Sequence, residues 1–420
     1  MIWQPPLPQR LTQMSDDDLV AAITVRKASL RRDLIILGHH YQHDDVIRFA
    51  DLTGDSFKLS QLAAERVQQA GARYVIFCGV HFMAESADIL TPPQTAVILP
   101  DLSAGCSMAD MADHDDTLDA WQQIHDTLAV TGFPRRGGRV IPICYMNSSA
   151  AIKAFCGEHG GAVCTSSNCR TVFQWALAGG TEPIGGDPEQ AAGMIKILFI
   201  PDQHLGRNTA AAMGYDVTTQ MCVWDPKDAD GLGGCDESQI EDATFILWKG
   251  HCSVHKLFRP EHVDQARAQW PDVRVIVHPE CCHEVVQKAD LTGSTEGILK
   301  TIEQAGPGTR WAVGTEVNMV NRLANQAERR GVHVRILSEC QCLCTTMIRI
   351  NTPHLLWTLE ELAEGRVVNR ITVDPQVKKW SLVALNRMLE LVGESEGQTK
   401  RRSDGATKRR SDEGVAQNLS

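Results

Sequence analysis

Cys106 in SAGCSM, Cys252 in KGHCSV and Cys344 in CQCLCTTM each stand just beyond an apolar, strand-like run: AVILPDL, FILW and VHVRIL. A thiolate in such a loop can bind metal, whereas a thiol inside an apolar run, such as Cys78, Cys144 or Cys164, ordinarily packs as a small hydrophobe. The chain carries 14 cysteines. In a reducing compartment lasting disulfides are rare, so metal binding or catalysis is the better account of so many thiols. If folding brings the three loop cysteines together, they can hold three irons of a cubane cluster. The remaining iron, open to substrate, would act as a Lewis acid on a hydroxyl or carbonyl oxygen. Spacing leaves a zinc reading open, with the compact Cys340, Cys342 and Cys344 joined by Cys281, Cys282 or His283 in a structural site. The C-x2-C pairs of a zinc ribbon and the three-cysteine spacing of radical enzymes are both absent, which favours ligands assembled by the fold.

What must position these thiols is a series of short β-rich runs alternating with longer amphipathic stretches, the pattern of parallel sheets with crossover helices. The fold class is therefore α/β. A first group of runs is Leu34–Leu37, Tyr74–Cys78 and Ala96–Leu99. A second is Val140–Cys144, Ala162–Cys164, Ile197–Ile200 and Phe245–Trp248. A third is Val273–Val277, a weaker Ala289–Thr292, Trp311–Val313 and Val332–Leu337. The matching order reads as three copies of one small parallel-sheet unit. Asp55 or Ser56 can cap a helix whose apolar face is Leu59, Leu62, Ala63 and Val67, and Gly71 can end it. Ligands of open parallel sheets bind beyond the carboxyl ends of the strands. The polar clusters fall there: GHHYQ, GVHFMAE, YMNSS, TSSN, PDQHLG, HPE, GSTEG and GTE.

The remaining composition narrows the function class. No apolar run approaches the roughly 20 residues of a membrane span, and MIWQPPLPQRLTQ at the start has no leader pattern, so a cytoplasmic location is expected. A formal net charge of −11 gives no reason to expect a nucleic-acid partner. Residues 225–242 are acidic and Gly-rich and read as a surface insertion, and the tail from Gly397, with its near-duplicate TKRRSD, is expected to be disordered.

In order, GHHYQ, GDS, GVHFMAES, GCSM, YMNSSA, TSSN, PDQHLG, GHCSVH, HPE, GSTEG, GTE and the cysteine cluster resemble the quinolinate synthases, from about residue 30 to about residue 394. The resemblance implies three pseudo-symmetric three-layer α/β/α domains with the active site at their common interface. It implies a transferase of NAD (pyridine nucleotide) biosynthesis that condenses iminoaspartate with dihydroxyacetone phosphate to quinolinate, with loss of phosphate and water. An aspartate-oxidising enzyme is the expected supplier of iminoaspartate. By motif, Cys106, Cys252 and Cys344 match the ligands of a [4Fe-4S] cluster, Cys344 because it precedes TTMIRI. The units then divide as 1–106 plus 345–395, 107–252 with the insertion, and 253–344, with 396–420 as a tail. His40 departs from the family's usual Asn, and the Gly-rich insertion lengthens the middle unit.

The residue types suit that reaction on their own. Ser56, Ser166, Ser294 and Thr295 lie where a strand meets a helix start, a natural anion site for a substrate with carboxylates and a phosphate. His39, Tyr41, Tyr145, Asn147, His278 and Glu280 can move protons or orient carbonyl and imine oxygens. Expected roles are proton exchange at Glu280 and Tyr41 beside His278, and anion binding at His39, Tyr145, Asn147 and the hydroxyls. The alternatives are a diphthamide-synthesis type of three-domain iron–sulfur enzyme, or a zinc-stabilised protein without catalysis.

Overall fold

Strands covered by helices on both faces are apolar throughout, without alternation, and the uninterrupted runs of this sequence take that form. The structure, a computed structural model, describes residues 4–183, 193–228, 230–339 and 342–393. The first sheet holds β1 (Leu34–His39), β2 (Leu52–Gly54), β3 (Tyr74–Cys78) and β4 (Ala96–Ile98). The second holds β5 (Arg139–Tyr145), β6 (Ala162–Cys164), β7 (Ile195–Ile200), β8 (Met221–Trp224) and β9 (Phe245–Trp248). The third holds β10 (Arg274–Val277), β11 (Leu291–Thr292), β12 (Arg310–Gly314) and β13 (His333–Ile336). A final strand, β14 (Arg370–Ile371), returns antiparallel to β4, whereas every other strand pairing is parallel. The tail from Gly397 and Cys340 lie outside the described residues.

The repeat is topological. The orders β2-β1-β3-β4 and β11-β10-β12-β13 are the same, and β6-β5-β7-β9 repeats them with β8 added at the edge. In each sheet the strand order reverses between its first strand and the neighbour that carries the chain on, and that switch point opens a crevice at the carboxyl ends. Each loop cysteine follows the fourth strand of the repeat: Cys106 after β4, Cys252 after β9 and Cys344 after β13.

Local chemistry explains the boundaries. Asp55 accepts the Lys58 amide at 2.9 Å to start the helix Ser56–Ala70, and Gly71 ends it in the left-handed region at φ 67°. In the third sheet, Val275, Val277 and Ala312 face one core while Ile276, Trp311 and Val313 face another, as a period of two demands. Residues 225–242 lie between β8 and β9; within them the helix Glu237–Asp242 has an Asp236–Gln239 capping box, and Gly233 lies flat against the Trp224 ring.

The helix Thr352–Ala363 seats Leu355, Leu356 and Leu359 in the first unit's core. The helix over 375–393 instead places Ala384, Leu385 and Met388 in the second. Gly157 admits the Trp380 carbonyl at that contact, where any side chain would clash. Among the described residues no helix is long and apolar enough to cross a membrane.

Candidate active site

The three loop cysteines share one local structure. Each stands three residues before a single turn of tight helix: Ala109–Met111, His255–Leu257 and Met347–Arg349. In each, the cysteine carbonyl accepts the amide four residues on, at 3.0 Å for Cys106, 3.0 Å for Cys252 and 3.3 Å for Cys344. Each sulfur in turn accepts the amide three residues on, from Ala109, His255 and Met347. The sulfur thus does what a capping oxygen does at a helix start. A hydroxyl residue follows each cysteine, as Ser107, Ser253 and Thr345. That equivalence distinguishes Cys344 from Cys342, which is buried in the third unit's core beside Cys281.

All three cysteines line one cavity. The first unit contributes His39, Tyr41 and Ser56, the second Tyr145, Asn147 and Ser166, and the third His278, Glu280 and Thr295. Of the residues singled out in the sequence, Ser294 alone is not on the wall: its hydroxyl caps the helix Thr295–Glu303 by accepting the Gly297 amide at 3.2 Å. Ser56 and Thr295 open their helices, and Ser166 lies just ahead of the helix Cys169–Leu177, so helix N-termini from all three units face the cavity. Among the described residues no lysine or arginine is on the wall.

A hydrogen-bonded line crosses the site. His255 Nδ1 is 2.7 Å from Glu280 Oε2, and His255 Nε2 is 3.1 Å from Thr315 Oγ1. Thr315 Oγ1 is 2.9 Å from the Tyr41 hydroxyl, which is also 3.2 Å from Thr295 Oγ1. With the carboxylate as the acceptor at one end and a neutral imidazole beside it, one set of directions is self-consistent. His255 Nδ1–H donates to Glu280, Thr315 O–H donates to Nε2, and Tyr41 O–H donates to Thr315. His278 stacks on His255 with ring centroids 4.4 Å apart.

Burial pushes the Glu280 carboxyl up, but the imidazoles of His278 and His255 and hydrogen bonds from His255 and Tyr145 outweigh it and bring the pKa down to about 2. Burial drives His278 down to about 3 and holds His39 neutral, helped there by His40 and Arg322. Burial, with the Glu280 charge, raises Tyr41 and Tyr145 well above the ordinary phenol, so both keep their protons.

The sequence reading missed His255 and Thr315. Both stood in motifs it had marked, GHCSVH and GTE, but their partners come from segments distant in sequence, Glu280 within the third unit and Tyr41 from the first.

Metal chemistry has two candidate donor sets here. The Cys252 sulfur, a His255 nitrogen and a Glu280 oxygen lie within 4.8 Å of one another. Both His255 nitrogens are already engaged, however, which reserves that ring for the proton line. The other set is the three thiols. Burial raises all three, Cys106 to about 12, and Cys252 is raised further by its two neighbours. Buried thiols crowded together, each with an amide aimed at its sulfur, become thiolates when a cation replaces the protons.

Three parallel-sheet units whose switch points open on one thiol-lined cavity define an α/β protein of three-unit architecture. The chain matches the family described as Quinolinate synthetase A protein over residues 23–390. It is 52% identical over 380 residues to the quinolinate synthase of Acidobacterium capsulatum, covering 90% of this chain and 95% of that one. It is 53% identical over 389 residues to that of a Nocardioides species, covering 92% and 93%. The quinolinate synthase of Geobacillus thermodenitrificans is 48% identical over 385 residues, covering 92% and 96%. The chain belongs to the quinolinate synthase family.

Proposed function

We propose that the cavity condenses iminoaspartate with dihydroxyacetone phosphate to quinolinate, losing phosphate and water, with Cys106, Cys252 and Cys344 as the ligands of a 4Fe-4S cluster. The observation that carries this reading is the meeting of one thiol from each unit with the Glu280–His255–Thr315–Tyr41 line in a single cavity. When bound, the cluster would supply a Lewis-acidic iron without a protein thiolate.

The protein's own groups then divide the remaining work. Glu280, ionised, keeps His255 oriented with Nε2 as an acceptor, so a proton leaving Thr315 or Tyr41 has a base at the end of the line. Tyr41 and Tyr145, both protonated, offer O–H donors to carbonyl or imine oxygens. Carboxylates and phosphate meet neutral donors, Ser56, Ser166, Thr295 and Asn147, with helix N-termini behind them. Neutral His39 and His278 complete the wall and orient the substrate without adding charge. Unstable iminoaspartate implies a supplier, an aspartate-oxidising enzyme.

The test is anaerobic turnover with oxaloacetate, ammonia and dihydroxyacetone phosphate, watched for quinolinate. A purified brown protein with about four irons per chain and broad absorption near 400 nm supports the ligand set. A colourless protein, or one containing zinc, overturns it. Glu280→Gln should keep the absorption and abolish turnover. Normal turnover in that variant removes Glu280 from its role.

A further inference from the structure

Tyr41 stands in an irregular stretch between β1 and the short helix Asp44–Ile47, so something must hold its backbone before its hydroxyl can be aimed. The amides of this stretch find partners inside the first unit: His40 N–H donates to the Gly54 carbonyl at 3.2 Å and Gln42 N–H to that of His39 at 2.9 Å. Its carbonyls do not. Three in a row are taken by the third unit, from one face of the helix Val317–Glu328. Arg322 Nη2 donates to the His40 carbonyl, Asn318 Nδ2 to the Tyr41 carbonyl at 3.3 Å, and Arg322 Nη1 to the Gln42 carbonyl at 2.7 Å. Arg322 Nη1 also meets Asp44 Oδ1 at 2.8 Å. Asn318 and Arg322 are one helical turn apart and so lie side by side.

That helix is tied to the reacting line. Its first turn is capped by Glu316, which accepts the Met319 amide at 3.1 Å and the Asn318 side chain at 3.0 Å. The residue before the cap is Thr315, whose hydroxyl meets that of Tyr41. One continuous segment therefore holds Tyr41 at both ends, the backbone through Asn318 and Arg322 and the phenol through Thr315. A planar guanidinium fork spans two carbonyls in fixed geometry, which a single ammonium cannot do.

From this geometry we infer that Arg322 is a positioning residue which, with Asn318, clasps the His40–Gln42 carbonyls across the boundary between units and sets the Tyr41 hydroxyl against Thr315 and Thr295. The inference rests on the proton-handling role given to Tyr41 under the proposed function. Loss of the clasp shifts Tyr41 without touching any thiol, so it changes turnover and not metal content.

The experiment is a double-mutant cycle in the iron-loaded, full-length protein, with Arg322→Gln, Arg322→Lys, Tyr41→Phe and the Arg322→Gln/Tyr41→Phe pair. Arg322→Gln is expected to keep the wild-type absorption and iron content and to lose kcat by about 10²-fold, the scale of a misplacement of about 1 Å, with KM little changed. Arg322→Lys should recover only a small part of that loss. Hydrogen exchange at residues 40–44 should quicken in both. On the Tyr41→Phe background the Arg322 change should cost nothing more, because the hydroxyl it aims is gone. Arg310→Gln removes an exposed pair with Asp272 in the same unit and should leave kcat unchanged. A wild-type kcat in Arg322→Gln, a loss that multiplies with that of Tyr41→Phe, or an equal loss in Arg310→Gln overturns the clasp. A fully active Tyr41→Phe overturns the role of Tyr41 itself and the clasp with it. Should Arg322→Gln fail to fold, Asn318→Ala in the same cycle decides: a smaller, non-additive loss supports the clasp, and an additive loss or none rejects it.

Discussion

The cavity thiols and the strand thiols are chemically the same group in two backbone settings. Cys78 and Cys164 lie inside β3 and β6, fully buried, with their amides and carbonyls committed to the sheet. Cys106, Cys252 and Cys344 lie past the ends of strands, where the chain has begun a single helical turn. Burial does not separate the two populations, since it lifts Cys78 and Cys106 alike to about 12. What separates them is where the amide at the sulfur comes from: each cavity sulfur has the amide three residues on, in the helical turn, whereas Cys144 inside β5 has only its own and Cys78 none. Such donors favour the thiolate over the thiol. A strand end can present those amides because its own hydrogen-bonding ladder has stopped. The same thiol is thus a core atom before the last ladder rung and a ligand after it.

The largest expected effect breaks the comparison at its centre. Cys252→Ser should lose the iron and all turnover, measured as iron per chain and quinolinate formed; an unchanged iron content rejects this cysteine as a ligand. Next comes a substitution that separates backbone from side chain within one turn. His255 gives its amide to the Cys252 sulfur and its ring to Glu280 and Thr315. His255→Asn keeps the amide, so iron should stay while kcat falls by about 10²–10⁴-fold, the range for loss of a general acid or base. Loss of iron in that variant would mean that the ring, and not the amide, supports the ligand.

Much of this arrangement was legible in the sequence, for a definite reason. Fully buried parallel strands leave uninterrupted apolar runs, and Tyr74–Cys78, Ala162–Cys164 and Phe245–Trp248 are strands over those same residues. Three strands escaped: β8, apolar and largely buried, carried the pattern and was passed over, while β2 and β14 are edges with one neighbour. An edge has less burial to enforce an apolar pattern, as the exposed Thr53 and Arg370 show. The cavity wall was legible because strand ends collect polar residues where ligands bind. Pairings between distant segments were not, because no local pattern says that His255 will meet Glu280 within the third unit or that Arg322 will meet the carbonyls beside Tyr41 in the first. Ser294 shows the opposite case: capping and anion binding ask for the same residue in the same place, and its hydroxyl accepts the Gly297 amide. An amphipathic helix likewise does not name its sheet, and the stretch 345–395, grouped with the first unit, sends its last helix to the second.

The smallest expected effect sharpens the comparison from the other side. Cys78 is the last residue of β3, fully buried beside Gly38 of β1, and packs as a hydrophobe. Cys78→Ser replaces a weakly polar sulfur with a hydroxyl that must find a partner in an apolar setting, at a cost of about 1–3 kcal/mol. The unfolding free energy from denaturant titration should fall by that amount, while iron per chain and kcat stay at their wild-type values. The change lies only two residues before Val80, which lines the cavity, so it is a demanding control. If iron were lost there too, position relative to the strand end would not be what divides ligand from core.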